Sequence, residues 1–353
     1  MDFNQNDDFS QPSPPQPEPP IHGLRANAPV STPPPRKRSG WRIFWGILLV
    51  MSVFANIALF LMLIGVVAVF ATGQGGILTE EVLREGPTTQ KIAVVNVQGI
   101  IHSNLADDVY SQLKAARQDR RVKGLIIRVN SPGGTISASD QIYKEIQKFR
   151  EEKGKPVVAF MQGVAASGGY YTSVACEKII AEPTTITGSI GVISSYFVVQ
   201  ELLEDKLGVM PVTIKSGQKK DWPSSFRKPS EEELTYMREK VMTPAFERFV
   251  DIVVEGRKAS LDPNEVRQLA DGGIFGAQEA LDVKLIDGIG YLDEAIEEVK
   301  SLVGIQSARV VEYRKPFSFA DVLSIKKPNL LKLNRDTLYE IATPQIMYLW
   351  SAY

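Results

Sequence analysis

A serine at position 167 lies in the stretch Gly163-Val-Ala-Ala-Ser-Gly-Gly-Tyr-Tyr171, where a catalytic nucleophile could be placed. Residues 156–161 have the length and composition of a buried strand, and residues 168–176 suit a buried helix. A serine at such a turn would face free backbone N–H groups at the helix N-terminus, which stabilise negative charge. Ser167 is therefore the candidate nucleophile, although the motif taken alone favours a tight turn with a serine N-cap.

The composition restricts which side chain could act as the base for this serine. The chain has two histidines, His22 and His102, and one cysteine, Cys176. A Ser-His-Asp triad would have to use His102, which is most simply a polar residue at a strand end. Cys176 is expected to be a small core residue. A zinc site made of histidines and cysteines cannot be assembled from this composition.

A lysine can replace histidine as the base only if burial lowers its pKa, because an exposed lysine is protonated at neutral pH. Lys215, Lys219 and Lys220 follow a predicted strand at 212–214 and are the candidates. In isolation, such a lysine-rich loop is typical of a solvated surface. Ser131-Pro-Gly-Gly134 could offer backbone N–H groups to an oxyanion, although a simple turn explains the same residues.

The segments around these residues alternate between strand patterns and helix patterns. Apolar runs of strand length lie at 91–101, 124–130, 156–161 and 178–181, with amphipathic segments between them. This alternation predicts right-handed βαβ units and a mostly parallel sheet, with the site at the carboxyl ends of the strands. Further helices are predicted at 196–207, from Ser230 onward, at 277–283 and at 292–303.

The N-terminal region predicts a membrane anchor. Residues 1–40 hold many of the 22 prolines and few apolar residues, so we expect a disordered tail that acts as a spacer or a polyproline ligand. No charged residue occurs at 43–71, which exceeds the ~20 residues needed to cross a bilayer and predicts a permanent transmembrane helix at 41–71. Basic residues before this helix predict a cytoplasmic tail and an exported remainder. A linker at 72–89, a domain at 90–303 and a C-terminal extension at 304–353 are expected to follow.

The chain ends in an apolar tail, Ile346-Met-Tyr-Leu-Trp-Ser-Ala-Tyr353. Such a tail either packs on a neighbouring molecule, which is the simpler expectation, or lies in the protein's own groove. The formal net charge of −1 gives no global electrostatic argument for binding nucleic acid.

Four motifs, in this order along the chain, closely resemble the signal peptide peptidase A family. They are Asn130-Ser-Pro-Gly-Gly134, Ala165-Ala-Ser-Gly-Gly-Tyr-Tyr171, Thr187-Gly-Ser-Ile-Gly-Val192 and Ile214-Lys-Ser-Gly-x-x-Lys-Asp221. The resemblance covers about residues 90–300 and one copy of the domain, as in the short form of the family. It implies the α/β Clp protease/crotonase-like fold with repeated βαβ units, preceded by one transmembrane helix.

The resemblance also implies roles for single residues. Ser167 matches the nucleophile, Lys220 the general base and Ser189 the serine that orients the lysine. Gly134 and the N–H of Gly168 match the oxyanion hole. No metal, nucleotide or other cofactor is implied. Lys219 stays open as an alternative base, because a shift of one residue would exchange the two adjacent lysines.

The function implied by the resemblance is a bacterial serine endopeptidase with a Ser/Lys dyad, which cuts apolar peptides such as remnant signal peptides. Small and apolar side chains would be favoured in its specificity pockets. It would be anchored in the cytoplasmic membrane with its catalytic domain on the extracytoplasmic side. A homo-oligomeric ring, an octamer in the short form, would line each site with neighbouring subunits. Two alternatives remain, a non-catalytic peptide-binding scaffold and a crotonase-type acyl-CoA enzyme, and the pairing of Ser167 with Lys220 argues against both.

Overall fold

A long apolar helix begins the described part of the chain. The computed structural model describes residues 40–71, 78–314 and 345–350, and helix α1 spans Gly40–Ala71. Among the helices in these ranges, α1 alone has the length and apolar composition needed to cross a membrane. The predicted span at 41–71 coincides with it, whereas the predicted tail before Gly40 lies outside the described residues. The described residues divide into two units, one that ends at Ala68 and one that follows it.

The second unit is an α/β structure in which strands and helices alternate over much of its length. Its strands are β1 (Thr79–Arg84), β2 (Lys91–Gln98), β3 (Val122–Ser131), β4 (Gly133–Thr135), β5 (Val157–Ala166), β6 (Lys178–Ala181), β7 (Ile186–Gly188), β8 (Ile193–Ser195), β9 (Ile274–Gly276), β10 (Gly288–Ile289), β11 (Arg309–Arg314) and β12 (Gln345–Leu349). Its helices are α2 (Ser103–Gln118), α3 (Ile136–Lys153), α4 (Gly168–Ser173), α5 (Glu231–Met237), α6 (Thr243–Arg257), α7 (Pro263–Leu269), α8 (Ala277–Asp282) and α9 (Leu292–Val303).

Two sheets organise these strands. In the larger sheet the order is β1-β11-β2-β3-β5-β6-β10, with β7 beside the end of β5 and β9 beside β7. The strands from β11 to β10 run parallel, and β1 lies antiparallel at the edge. The smaller sheet has the order β4-β12-β8 and is antiparallel. The α/β alternation and the mostly parallel sheet predicted from the sequence are therefore confirmed.

The larger sheet buries both of its faces, which explains why its strands are apolar throughout. Successive side chains of a strand point to opposite faces, so Ile127 joins one apolar cluster and Ile126 the other. The first cluster includes Leu113 of α2 and Phe249 of α6, and the second includes Val299 of α9. Helices therefore pack against both faces of the sheet and leave the carboxyl ends of its strands to form the site.

Two expectations for the stretch before the lysines were wrong. Residues 212–214 form no strand, and the Ile214 side chain is 96% exposed. The predicted helix at 196–207 is helical only from residue 200 and contains a wide π-type turn at Leu202–Lys206. Apolar and β-branched residues favour a strand locally, but a strand also needs a neighbour for its backbone hydrogen bonds. Within the described residues, no strand pairs with this stretch.

The outer segments contribute strands to the sheets. β1 falls within the stretch expected to be a linker, and it pairs with β11, which falls within the expected C-terminal extension. Lys91 at the start of β2 is buried and forms ion pairs with Glu80 of β1, at 2.5 Å, and with Asp119, at 3.0 Å. These ion pairs connect β1 to the first residue of β2, at the end of the sheet opposite the site.

Candidate active site

Ser167 is held in a strained backbone conformation between β5 and α4. Its φ is 53° and its ψ is −114°, a region that costs a non-glycine residue about 1–3 kcal/mol. The backbone supports this conformation, since the Ser167 N–H donates to the Gly188 carbonyl at 2.8 Å and its carbonyl accepts from Tyr171 at 2.8 Å. A sharp strand-to-helix turn of this kind presents a nucleophile at the carboxyl end of a sheet.

The hydroxyl group of Ser167 is not used to cap α4. The residue stands at the N-cap position and its side chain is buried, but it makes no capping hydrogen bond. His102 shows the contrast, because its Nδ1 accepts a hydrogen bond from the Leu105 N–H and caps α2. The simple N-cap explanation of the serine is therefore wrong, and His102 is a helix cap and not merely a residue at a strand end. Cys176 is buried as expected, and burial raises the pKa of its thiol.

The strand before the serine changes neighbours to reach the turn. From Val158 to Met161, β5 pairs with β6, whereas from Val164 to Ala166 it pairs with β7. Gly163 lies between these two parts with a φ of 50°, which a glycine adopts without steric cost. The Gly163 bend therefore directs Ala165-Ala166-Ser167 towards the smaller sheet.

Gly133, Gly134 and Gly168 pack closely enough that a side chain on any of them would collide. A Cβ on Gly168 would stand 3.2 Å from the Gly134 amide nitrogen, and a Cβ on Gly133 would stand 2.7 Å from the Gly168 amide nitrogen. The two amides predicted to form the oxyanion hole are thus brought together beside Ser167. Gly133 has a φ of 102°, so its backbone and its surroundings both require glycine.

The chain's own C-terminal segment lies across these glycines. β12 pairs antiparallel with β4 on one side and with β8 on the other, with Tyr348 opposite Gly134. A Cβ on Gly133 would overlap the Tyr348 carbonyl oxygen. Of the two positions open for the apolar tail, the structure therefore places residues 345–350 in the protein's own groove. An extended segment held between two strand edges is a common mode of peptide binding.

The side chain of Tyr348 is completely buried in an aromatic pocket. Its ring stacks on Tyr171 with centroids 4.9 Å apart and contacts Phe249 at 4.8 Å, and its hydroxyl donates to the Ala245 carbonyl at 2.7 Å. The expectation that the specificity pockets favour small side chains does not describe this pocket, which holds a whole tyrosine ring between Tyr171 of α4 and Phe249 of α6. Tyr170 and Tyr171 directly follow Gly168 and Gly169, and this pair of tyrosines is the sequence signal that could have indicated an aromatic pocket.

A second set of side chains fixes the wall of this pocket and was missed from the sequence. The Tyr171 hydroxyl donates to Asp140 at 2.5 Å, and Arg248 donates to the same carboxylate at 3.1 Å. Burial and this hydrogen bond raise the pKa of Tyr171. These residues line a cavity of about 510 Å³ that also contacts Ile346. Asp140 and Arg248 belong to different helices, so no local pattern could have paired them.

Ser189 lies on the other side of the bound segment. Its φ is 51° and its N–H donates to the Gly273 carbonyl at 2.6 Å, so the bend at Asp271-Gly-Gly273 fixes its position. Ser189 borders a cavity of about 330 Å³ that also includes Leu349 of β12. The structure thus brings Ser189, Ser167, Gly134 and Gly168 together around the groove.

Lys220 is not brought to this groove within the single chain. It lies on an exposed 3₁₀ turn at Gln218–Asp221, and its ammonium group makes no hydrogen bond or ion pair in the described part of the chain. Lys219 is engaged elsewhere, because its Nζ lies 4.5 Å from the ring centroid of Tyr236 and 3.6 Å from Glu232. Both contacts engage the Lys219 ammonium group within its own chain.

We expect Gly133→Ala to abolish activity while the fold survives. The new Cβ would occupy the place of the Tyr348 carbonyl oxygen and crowd the Gly168 amide, and the positive φ would add about 1–3 kcal/mol of strain. Peptide hydrolysis and thermal unfolding of the variant would measure both effects. Gly304→Ala is a matched control, since Gly304 also has a positive φ but nothing stands within 4 Å of its Cβ position. Equal activity in the two variants would contradict the crowding.

Comparisons with known proteins give the family to which this geometry belongs. The model of peptidase family S49 matches residues 149–306, and the Clp protease model matches residues 88–185. The chain thus has a Clp protease-like α/β fold. The S49 match includes the serine turn, the lysine loop and the helices that follow them, whereas the Clp match covers the first βαβ units. Within the described residues, no group of three or more His, Cys, Asp or Glu side chains could hold a metal ion.

Three of the relatives, from different groups of organisms, are named as peptidases or proteases. A protein of Enterococcus faecium named for signal peptide peptidase SppA is 41% identical over 248 residues, covering 67% of this chain and 71% of the relative. The chloroplast serine protease SPPA of Arabidopsis thaliana is 34% identical and covers 62% of this chain and 32% of the relative. Protease 4 of Salmonella typhi is 32% identical, with coverages of 62% and 34%. The chain is a protease of peptidase family S49 and belongs to the signal peptide peptidase A family.

Proposed function

We propose that the protein is a serine endopeptidase in which Ser167 is the nucleophile and Lys220 the general base. The observation that carries the proposal is the seating of Tyr348. An extended segment lies in the groove with Tyr348 paired to Gly134 and its carbonyl oxygen close to the Gly168 amide. Its side chain is buried against Tyr171 of the helix that begins after the strained Ser167. A peptide bond in this position is presented to the serine as a substrate would be.

The proposed reaction proceeds through an acyl-enzyme. Lys220, as a neutral amine, takes the proton of Ser167 Oγ while Oγ bonds to the peptide carbonyl carbon, and the Gly134 and Gly168 N–H groups stabilise the oxyanion. The C–N bond then breaks, and the proton passes from Lys220 to the leaving amine. A water molecule, deprotonated by Lys220, attacks the ester and releases the second product and Ser167. Ser189 orients the lysine.

Lys220 reaches a serine through assembly of several copies. A lysine exposed to water keeps its proton at neutral pH, so the loop must be covered before Lys220 can act as a base. The stretch before it exposes apolar side chains to solvent, including Phe197, Met210, Val212 and Ile214. Exposed apolar surface of this kind is typical of a protein interface. We propose that this surface packs on a second copy in a homo-oligomeric ring, an octamer by resemblance, and delivers Lys220 to that copy's groove.

The groove and the relatives support extended apolar peptides as the proposed substrate class. Backbone pairing on both sides selects extended chains, and the aromatic and apolar pockets select apolar side chains, as found in signal peptides. The relative in Enterococcus faecium is named for this activity. Helix α1 would anchor the protein in the bacterial cytoplasmic membrane, with the basic flank on the cytoplasmic side and the protease on the other side.

Covalent trapping tests the proposal directly. A peptide phosphonate with tyrosine at its reactive position should modify the protein once per chain, and mass spectrometry of the digest should place the adduct on Ser167. Ser167→Ala should remain unmodified under the same conditions. An adduct on another serine, or none in a preparation that hydrolyses peptides, would contradict Ser167 as the nucleophile. A preparation that binds peptide without hydrolysing it would favour the scaffold alternative.

The seated C-terminal segment predicts self-cleavage. We expect the active protein to lose the residues after Tyr348, because the Tyr348 carbonyl lies close to the Gly168 amide of the proposed oxyanion hole. Intact-mass measurement of the purified protein would show the shortened chain, and Ser167→Ala would keep its tail. Tails of equal length in the two proteins would contradict self-cleavage.

A further inference from the structure

Asp221, the residue directly after Lys220, is held by two cations. Lys215 Nζ lies 2.7 Å from Oδ1 of Asp221, and Arg227 Nε lies 3.4 Å from Oδ2. Lys215 also donates to the Gln218 carbonyl at 3.0 Å, and this hydrogen bond connects Lys215 to the first residue of the 3₁₀ turn. Both oxygens of the Asp221 carboxylate therefore interact with other cations. Lys220 directly precedes Asp221 but makes no ion pair with it.

A buried acid fixes one of these cations. Arg227 pairs with Glu233 at 2.5 Å, and the Glu233 side chain is 0% exposed. The Ser230 hydroxyl accepts a hydrogen bond from the Glu233 N–H, so Ser230 caps α5 and Glu233 lies in the first turn of this helix. The arrangement is therefore a chain of four alternating charges, from Lys215 through Asp221 and Arg227 to Glu233, that ends in the protein interior.

Other ionisable groups face this loop without touching Asp221. Lys219 pairs with Glu232 and lies over Tyr236, and Tyr196 lies close enough to Glu233 and Arg227 to interact electrostatically with both. The hydrogen bond from Lys215 is the main cause that lowers the pKa of Asp221, so this carboxyl group is ionised throughout the neutral range. A negative charge is thus present on the residue that directly follows the proposed base in the chain.

A free carboxylate close to a lysine stabilises the protonated form of that lysine and opposes its use as a base. The same carboxylate has much less effect when its charge is compensated by cations held at hydrogen-bond distance. We propose that Lys215 is a positioning residue of the proposed reaction, which pairs with Asp221 and so prevents this carboxylate from retaining the proton on Lys220. The inference rests on the proposed function, because it requires Lys220 to act as the base.

The test is the pH dependence of kcat/KM for a chromogenic peptide hydrolysed by the full-length protein. In Lys215→Met, Asp221 loses its main partner and the proton is held more tightly on the base. The rising limb of the profile should therefore move to higher pH by about one unit, with a rate about tenfold lower below both midpoints. Lys215→Arg keeps the charge and should restore the original midpoint. Asp221→Asn leaves Lys215 unpaired and should move the limb to lower pH.

The double variant Lys215→Met with Asp221→Asn separates this role from simpler ones. If Lys215 acts through Asp221, most of the shift seen in Lys215→Met should vanish once the carboxylate is gone. A shift of the same size in both backgrounds would overturn the inference, because Lys215 would then act by its own charge. A fall in rate without movement of the midpoint would also overturn it and would indicate a purely structural role.

Two further variants keep the inference apart from the proposed function. Lys219→Met is a charge-matched control one residue from Lys220, and it should leave the midpoint within about 0.3 pH units because Lys219 is partly exposed and does not contact Asp221. Lys220→Met should lose about 10²–10⁴-fold of the rate. Full activity in Lys220→Met would refute the proposed base, whereas this loss together with an unmoved midpoint in Lys215→Met would refute only the role of Lys215.

Discussion

Ser167→Ala is expected to reduce peptide hydrolysis by at least about 10⁴-fold while leaving the fold intact. Hydrolysis through an acyl-enzyme has no route without the hydroxyl group, although the Gly134 and Gly168 amides would remain. The fold should survive because the Ser167 hydroxyl makes no capping hydrogen bond. We expect its free energy of unfolding to change by less than about 0.5 kcal/mol, measured by denaturant unfolding.

Ser173→Ala provides a matched control on the same helix. Ser173 is also buried, but its Oγ donates to the Gly169 carbonyl at 2.8 Å. Its loss should therefore cost about 1 kcal/mol of stability and leave catalysis largely unchanged. The two serines are thus expected to give opposite results in the two assays. An active Ser167→Ala would show that Ser167 is not the nucleophile. An inactive Ser173→Ala that is fully folded would show that the loss of activity is not specific to Ser167.

Lys220→Met should lower kcat by about 10²–10⁴-fold, because a general base contributes an effect of this size. Methionine keeps most of the length and the apolar stem of the side chain but cannot accept a proton. Lys219→Met is the comparison, since its ammonium group is occupied by Tyr236 and Glu232. It should cost about 0.5–1 kcal/mol of stability and little activity. The reverse result would identify Lys219 as the base.

Mixing experiments can determine whether the base comes from another copy. Ser167→Ala and Lys220→Met are each expected to be inactive, but refolding them together should regain part of the activity if each groove uses a lysine from its neighbour. Controls refolded separately and then mixed without exchange should stay inactive. No recovery in a verified mixed oligomer would indicate that serine and lysine belong to the same chain.

The pH dependence of the unmodified protein provides a further check on the base. A neutral lysine is the active form, so the rate should rise as pH increases through the midpoint of its titration. Covering of the loop by a second copy should place this midpoint well below the ~10.4 of a free lysine. A profile that still climbs near pH 10 would contradict a desolvated base.

The strands and the serine turn could be predicted because their information is local. Strands buried on both faces must be apolar along their whole length. The apolar segments that form β2, β3, β5 and β6 could therefore be predicted as strands without tertiary information. Glycines mark the turn after β5 because a backbone with positive φ and close packing excludes other residues. The α/β class and the position of Ser167 followed from these patterns.

The occupant of the groove and the fate of residues 212–214 depended on partners that are distant in the chain. β12 becomes a strand because β4 and β8 offer two open edges to it, although more than a hundred residues separate it from either. Residues 212–214 have strand-forming side chains but meet no open strand edge in the described part of the chain and remain exposed. A backbone hydrogen bond needs both a donor and an acceptor, and the sequence of one segment does not show which distant segment supplies the other group. Local sequence therefore determined the turn at Ser167. Tertiary contacts determined the aromatic pocket, the position of residues 345–350 in the groove, and the row of four alternating charges from Lys215 to Glu233.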